Sequence, residues 1–313
     1  MPAHPDAAPA PDPRDPGRIT VLAPGGVGGL LAGLLARAGR TVDVVATPDT
    51  AARIAADGLR VDSAAYGDFT AAVEAAPRAR HRPGVLVVAP KATALDAALD
   101  RVPADLVGDA LVVPLLNGFE HMAALRARYP DAHVLSAAIR VESTRVAPGH
   151  IVHSSPFAGL DVAYSGAPAA RVEAFAAAVR AAGLPVELRT DEDAVLWRKL
   201  HFLLPMALVC THAEADVGAT RAGRRADLLA VAGEVAAVAA ARGVRLDADR
   251  FAAAIDSVPA ATKPSMLRDR EAGRPMEVDA LGGALLRAGR AAGVPTPATA
   301  RIVADLERVR PAG

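Results

Sequence analysis

Four glycines crowd the segment "ITVLAPGGVGGLLAGLLARAG", Ile19 to Gly39: Gly25, Gly26, Gly28 and Gly29 separate an apolar run from an Ala/Leu-rich stretch of helical period. A strand that ends in such a turn and opens a helix can hold a phosphate, because the unpaired N–H groups and the dipole of a helix N-terminus favour an anion. In a dinucleotide turn the first glycine permits a tight bend. The second lets backbone amides approach the pyrophosphate, and the third lets the helix pack on the strand. Gly25 and Gly28 take the second and third roles, so Gly25, Gly26, Val27 and Gly28 form the expected cofactor-contacting stretch, with Gly26 and Gly29 adding clearance. Ala23 stands where the first glycine belongs, and Pro24 is expected to hold it in extended dihedrals.

The end of the second strand bears on which dinucleotide is bound. An acid there would bind the ribose hydroxyls of NAD, whereas an arginine nearby would accept the 2′-phosphate of NADP. "TVDVVA" ends at Ala46, Thr47 and Pro48 follow, and Asp43 lies inside the strand. With no carboxylate to repel a phosphate, NADP(H) is the expected cofactor and Thr47 and Arg53 are candidate contacts. No metal site emerges: His150 and His153 fall on opposite faces of a strand, Cys210 and His212 are isolated, and His201 points away from Lys199 on a helix.

These groups need a scaffold, and the pattern supplies one. Apolar runs "ITVLA", "TVDVVA", "VLVVA" and "LVVPLL" alternate with helical segments, which argues for a parallel sheet covered on both faces. The fold class is α/β, a Rossmann-type doubly wound sheet over 18–190 followed by an all-helical domain over 191–313. The pieces "HVLSAAIRV", "GHIVHSS", "GLDVAYS" and "PVELR" are expected to finish the same sheet in mixed orientation. Residues 1–17, with six prolines in the first sixteen positions, read as a disordered tail that is neither signal peptide nor helix. At 313 residues and 52% hydrophobic the chain can bury a sizeable core. Lys+Arg and Asp+Glu balance at 35 each, which argues against nucleic acid or an acidic membrane as partner. No uninterrupted apolar run approaches the roughly 18 to 20 residues that span a bilayer. A single cysteine, Cys210, fits a reducing, cytoplasmic setting.

Four further stretches, with the glycine turn, resemble the ketopantoate reductase (2-dehydropantoate 2-reductase) family: "VVAPKATALDAAL", "VVPLLNGFEH", "LWRKLHFLL" and "KPSMLRDREAGRPMEVDALGGALLRAGRAAGVPTP". They occur in order between about Ile19 and Leu306. The resemblance implies reduction of a 2-oxo acid by NADPH and leaves room for a homodimer. It implies Lys199 as proton donor to the nascent alkoxide. Asn117 and Lys91 would line the nicotinamide side, Ser265 would be a substrate-binding hydroxyl, and Glu277 would be a carboxylate bridging cofactor ribose and lysine. Hydride arriving at a carbonyl carbon puts negative charge on oxygen, so an adjacent ammonium both stabilises that charge and supplies the proton. Each residue also has a plainer reading: a solvated lysine, a carboxylate at a helix start, a turn asparagine, and Ser265 capping a helix that begins at Met266.

The chain departs from the family where asparagines usually follow the lysine by four and eight residues. Here Leu203 and Ala207 occupy those positions, Gly282 replaces a third asparagine, and Pro205 falls inside the lysine helix. Leu203 is thus a candidate substrate contact, and the expected substrate is a 2-oxo acid, ketopantoate or a relative with a more apolar body. The alternative is a non-catalytic NADP-binding sensor or scaffold that kept the fold.

Overall fold

The computed structural model describes residues 16–308. Of the expected tail, 1–15 lie outside the described residues, while Pro16 is buried and its carbonyl lies where a side chain on Gly84 would be. The central sheet has six parallel strands in the order Glu74–Ala76, Val42–Val45, Ile19–Leu22, Val85–Val88, Leu111–Pro114, His133–Val134. Its four middle strands are buried at every residue, as the unbroken apolar runs require of a sheet covered on both faces.

Two smaller sheets correct the expectation of one extended sheet. Ser143–Ala147 and His150–His153 form a hairpin that joins Leu59–Ser63 and Phe69–Ala71. Ser136–Arg140, Gly159–Ala163 and Val186–Arg189 make a three-stranded sheet of mixed direction. The strands between Leu59 and Ala76 carry too few consecutive apolar residues to stand out in the sequence. The four-stranded sheet covers the helix Gly26–Arg37 on the side away from the central sheet, so Leu30, Leu31, Leu34 and Leu35 share one core with Ile19, Val61 and Ile151.

From Glu192 onward the chain is helical. Its axis is the 22-residue helix Glu192–Ala213, whose N-cap Asp191 accepts a bond from the Ala194 amide and which runs unbroken across Pro205. This helix is long and apolar enough to cross a membrane by length and composition, yet 78% of its most apolar window is buried by the helices Arg225–Ala241, Ala248–Ser257, Ser265–Glu271 and Pro297–Arg308 around it. It is the core helix of the second half.

Candidate active site

Ala23 leaves the first strand with φ +62°, the left-handed region, rather than the extended conformation expected before a proline. Its N–H donates to Val45 O (2.8 Å), and the Gly25 N–H returns to Ala23 O (2.7 Å), closing the bend around Pro24. The bend that a glycine would adopt freely is therefore made by alanine at a cost of about 1–2 kcal/mol. Gly25 caps the helix without a side chain, and the first intrahelical bond runs from Gly29 N to Gly25 O (2.7 Å). The amides of Gly26, Val27 and Gly28 consequently have no protein acceptor among the described residues. A Cβ on Gly25 would project into space whose nearest atom is Ala23 O at 3.9 Å. Three free amides behind an open face fit a pyrophosphate.

The other glycines answer to packing. A Cβ on Gly28 would sit 2.8 Å from Ala89 Cβ, so the helix lies directly on the strands. Gly26 and Gly29 do not provide clearance for a ligand: side chains there would strike the Ser143 carbonyl and Ile151 of the four-stranded sheet.

Beyond the second strand, Thr47 is exposed and its Oγ1 donates to Thr50 Oγ1 (3.0 Å), while Arg53 pairs with Asp57 (3.0 Å). An arginine does reach this point, from a distant part of the sequence. Arg101 Nη1 donates to Ala46 O (3.2 Å) and Pro77 O (3.1 Å), the carbonyls that follow the second strand and its outer neighbour. At the opposite end of the same strands Asp43, Glu74 and His81 bring ligand-type atoms within 4.8 Å, but Arg18 pairs with both carboxylates, so the protein supplies its own counter-cation.

Where the two halves of the chain meet, polar contacts join them. Glu277, 7% exposed, accepts from the Ala92 amide through Oε1 (2.8 Å) and from Asn117 Nδ2 through Oε2 (3.4 Å). Lys91 Nζ pairs with Asp269 (2.5 Å), which is 3% exposed and also takes Arg274 (3.0 Å). Arg287 spans Glu120 (2.7 Å) and Asp279 (2.7 Å), and the carbonyl of Ala280 approaches so closely that a Cβ on Gly118 (φ +86°) would lie 2.7 Å from it. Glu277 occupies the residue before a helix and receives the Leu281 amide on its own carbonyl (3.1 Å). Its side chain does not fold back onto that helix but crosses to Ala92, which the plainer dipole reading does not explain. The helix opens with a π turn, Asp279–Gly283, a device that recurs at functional sites.

Lys199 lies among these groups without a hydrogen bond or ion pair among the described residues. Part of its side chain is accessible, yet its ammonium is desolvated: burial lowers its pKa to about 8, Glu277 opposes the shift, and Arg140 adds to it. His121, 7% exposed, lies within electrostatic reach of the same amine. Burial, reinforced by the Lys199 charge, lowers its pKa to about 4, and its Nε2 has no partner among the described residues. Arg140 and His121 were not legible as neighbours of Lys199, because they stand 59 and 78 positions before it on other elements.

The remaining candidates are placed as follows. Leu203, one turn after Lys199, is partly buried, and Ala207 is buried. Gly282 packs so tightly against Val303 and Leu208 that no side chain fits there. Ser265 is exposed, begins the helix Ser265–Glu271 itself and makes no cap bond, so the plainer reading of it as a helix cap does not hold. His201 is buried in the helical core 5.7 Å from the Phe251 ring, as a structural histidine.

Residues 19–163 match the family described as ketopantoate reductase PanE/ApbA, and residues 191–309 match its C-terminal counterpart. A 2-dehydropantoate 2-reductase of Mycobacterium tuberculosis is 33% identical over 291 residues, covering 89% of this chain and 93% of the relative. The chain also superimposes on a PanE/ApbA family ketopantoate reductase from Ralstonia eutropha with a TM-score of 0.84 at 29% identity, covering 93% of this chain and 97% of the other. D-mandelate dehydrogenase, solved with NADH and anilino(oxo)acetate, shares the fold at 18% identity, with a TM-score of 0.83 over 93% of this chain and 97% of the other.

Proposed function

Since the chain belongs to the ketopantoate reductase family of oxidoreductases, whose members reduce a 2-oxo acid to the 2-hydroxy acid, we propose that it uses NADPH to reduce a 2-oxo acid with an apolar body. The observation that carries this reading is the unpaired, desolvated Lys199 amine within electrostatic reach of Glu277, His121 and Arg140. When bound, the cofactor supplies hydride to the carbonyl carbon. The chain does the rest. Amides of Gly26, Val27 and Gly28 bind the pyrophosphate; Asn117 and Lys91 border the reacting face; Lys199 gives its proton to the oxygen as charge develops there.

The substrate preference follows from what surrounds the lysine. An amide at Leu203 would reward a substrate hydroxyl; the apolar side chain leaves that hydroxyl unmatched, at about 1–3 kcal/mol. The unpaired Lys199 ammonium still suits a carboxylate, whereas Arg140 is already paired with Asp161. The test is dinucleotide oxidation, with NADPH and NADH, across a panel of 2-oxo acids that includes ketopantoate and the 2-oxo acid corresponding to mandelate, with Lys199→Ala as control. Turnover of an apolar 2-oxo acid above ketopantoate, lost in the variant, is expected. Ketopantoate as the preferred substrate would overturn the specificity. Dinucleotide binding without turnover of any member would instead favour a sensor.

A further inference from the structure

We propose that Arg101 reads the 2′-phosphate of the adenine ribose and so sets the preference for NADPH; this rests on the dinucleotide-dependent reduction proposed above. With a pyrophosphate on the helix that opens at Gly26, the adenosine half of a dinucleotide follows the carboxyl ends of the first and second strands. At that place the local sequence offers little. Thr47 Oγ1 is engaged with Thr50, Arg53 is paired with Asp57 on its own helix, and Arg78 donates to Asp100 O (2.9 Å).

Arg101 differs from these. One nitrogen, Nη1, is fixed on the carbonyls of Ala46 and Pro77, so the guanidinium is held at the end of the second strand, one residue from Thr47. Its Nε and Nη2 have no partner among the described residues and are not sealed from solvent. Among the described residues no carboxylate pairs with it, whereas Arg18 and Arg287 each pair with two and Arg82 with one. A guanidinium oriented at one nitrogen, with its charge uncompensated and other N–H groups open, suits a phosphomonoester, which accepts two parallel charge-assisted bonds. The acids nearest in sequence to the two ends of this contact are both exposed: Asp49, in the first turn of the helix Pro48–Asp57, and Asp100, which precedes Arg101 and pairs with Arg128 (3.6 Å) instead. The device escapes a local motif search because strand end and arginine are 55 residues apart.

The fragments 2′,5′-ADP and 5′-AMP isolate this contact from the chemistry. Titration calorimetry on the wild-type chain should show 2′,5′-ADP binding about 10- to 100-fold more tightly than 5′-AMP. Arg101→Ala should erase that ratio while leaving 5′-AMP affinity unchanged, and the preference for NADPH over NADH in turnover should fall in parallel. Because the alanine also gives up two backbone contacts, Arg101→Lys is the second variant: it keeps a cation and one donor, and should reduce the ratio without reaching unity. Retention of the full ratio in either folded variant overturns the assignment, as does equal wild-type affinity for the two fragments. Failure of the wild type to bind any adenine dinucleotide would overturn the reductase reading as well, so the two failures are distinguishable.

Discussion

Glu277 and Lys199 couple electrostatically without forming an ion pair: both Glu277 oxygens are taken by Ala92 and Asn117, and the ammonium keeps its protons for something else. Burial brings the Lys199 pKa to about 8, and the carboxylate limits the fall. Reduction needs the ammonium, so kcat/KM for the 2-oxo acid should decline as pH rises through about 8, while oxidation of the 2-hydroxy acid, which needs the free amine, should rise through the same region. Lys199→Met should cost about 10²- to 10⁴-fold in reduction with dinucleotide affinity retained. The linkage has a matching sign. Folded protein binds fewer protons here than unfolded between pH about 8 and 10.5, so this group adds stability as pH rises across that window, an increment that the methionine variant lacks. A reduction rate flat from pH 7 to about 10 would remove Lys199 as proton donor.

Glu277→Gln separates the charge from the contacts. Glutamine still presents an acceptor to the Ala92 amide, so the junction between the halves survives. Losing the anion removes what holds the Lys199 pKa up, and the alkaline limb of reduction should move to lower pH. Activity at neutral pH falls accordingly, by about 10-fold for each pH unit moved above the limb. An unshifted limb in the folded variant would mean that the carboxylate does not act on the amine.

His121 is a second reporter on the same pocket. Burial and the Lys199 charge keep it neutral down to pH about 4. Between its unfolded value of 6.5 and about 4 the unfolded chain binds the extra proton, so stability is lost as pH falls through that range, on the order of 3 kcal/mol in full. His121→Phe should move the acid-unfolding midpoint to lower pH. Histidine NMR resonances should include one that stays neutral at pH 5; if all eight titrate near 6.5, the buried environment is refuted.

The architecture was legible in the sequence wherever its signal was local. Unbroken apolar runs marked the four central strands, the glycine turn marked the helix start, and the motif order marked the site. Groups joined by tertiary packing were not. Strands between Leu59 and Ala76 carry mixed side chains because each has one partly exposed face, so no period announced them. Gly26 and Gly29 looked like ligand clearance because nothing local revealed a second sheet lying over the helix. Arg101 reaches the end of the second strand, and Arg140 and His121 come within electrostatic reach of Lys199, from other elements, and only the fold shows their approach.

The three positions where the family usually has asparagine differ in what they would tolerate, which makes specificity testable at one of them. A side chain at Gly282 collides with Val303, and an amide at buried Ala207 would enter the helical core, so both substitutions should destabilise by about 1–3 kcal/mol. Leu203 is partly exposed on the lysine's own face. Leu203→Asn should fold and should raise kcat/KM for ketopantoate relative to an apolar 2-oxo acid by about 10-fold, the worth of one matched hydrogen bond. An unchanged ratio would place the determinant elsewhere.

Ala23 offers a test of the glycine turn that leaves the chemistry untouched. Its φ of +62° is held by the Val45 bond on one side and the Gly25 return on the other, and the residue before a proline has few conformations to relax into. Glycine takes this conformation without a Cβ clash but enters folding with a more flexible unfolded chain, so the two effects oppose. The left-handed cost for alanine is the larger, and Ala23→Gly should stabilise by about 0.5–1 kcal/mol, measured by chemical denaturation. The free amides of Gly26, Val27 and Gly28 belong to the helix rather than the bend, so dinucleotide affinity should stay the same or tighten. Destabilisation by glycine would show that the alanine methyl makes a contact worth more than the strain it causes.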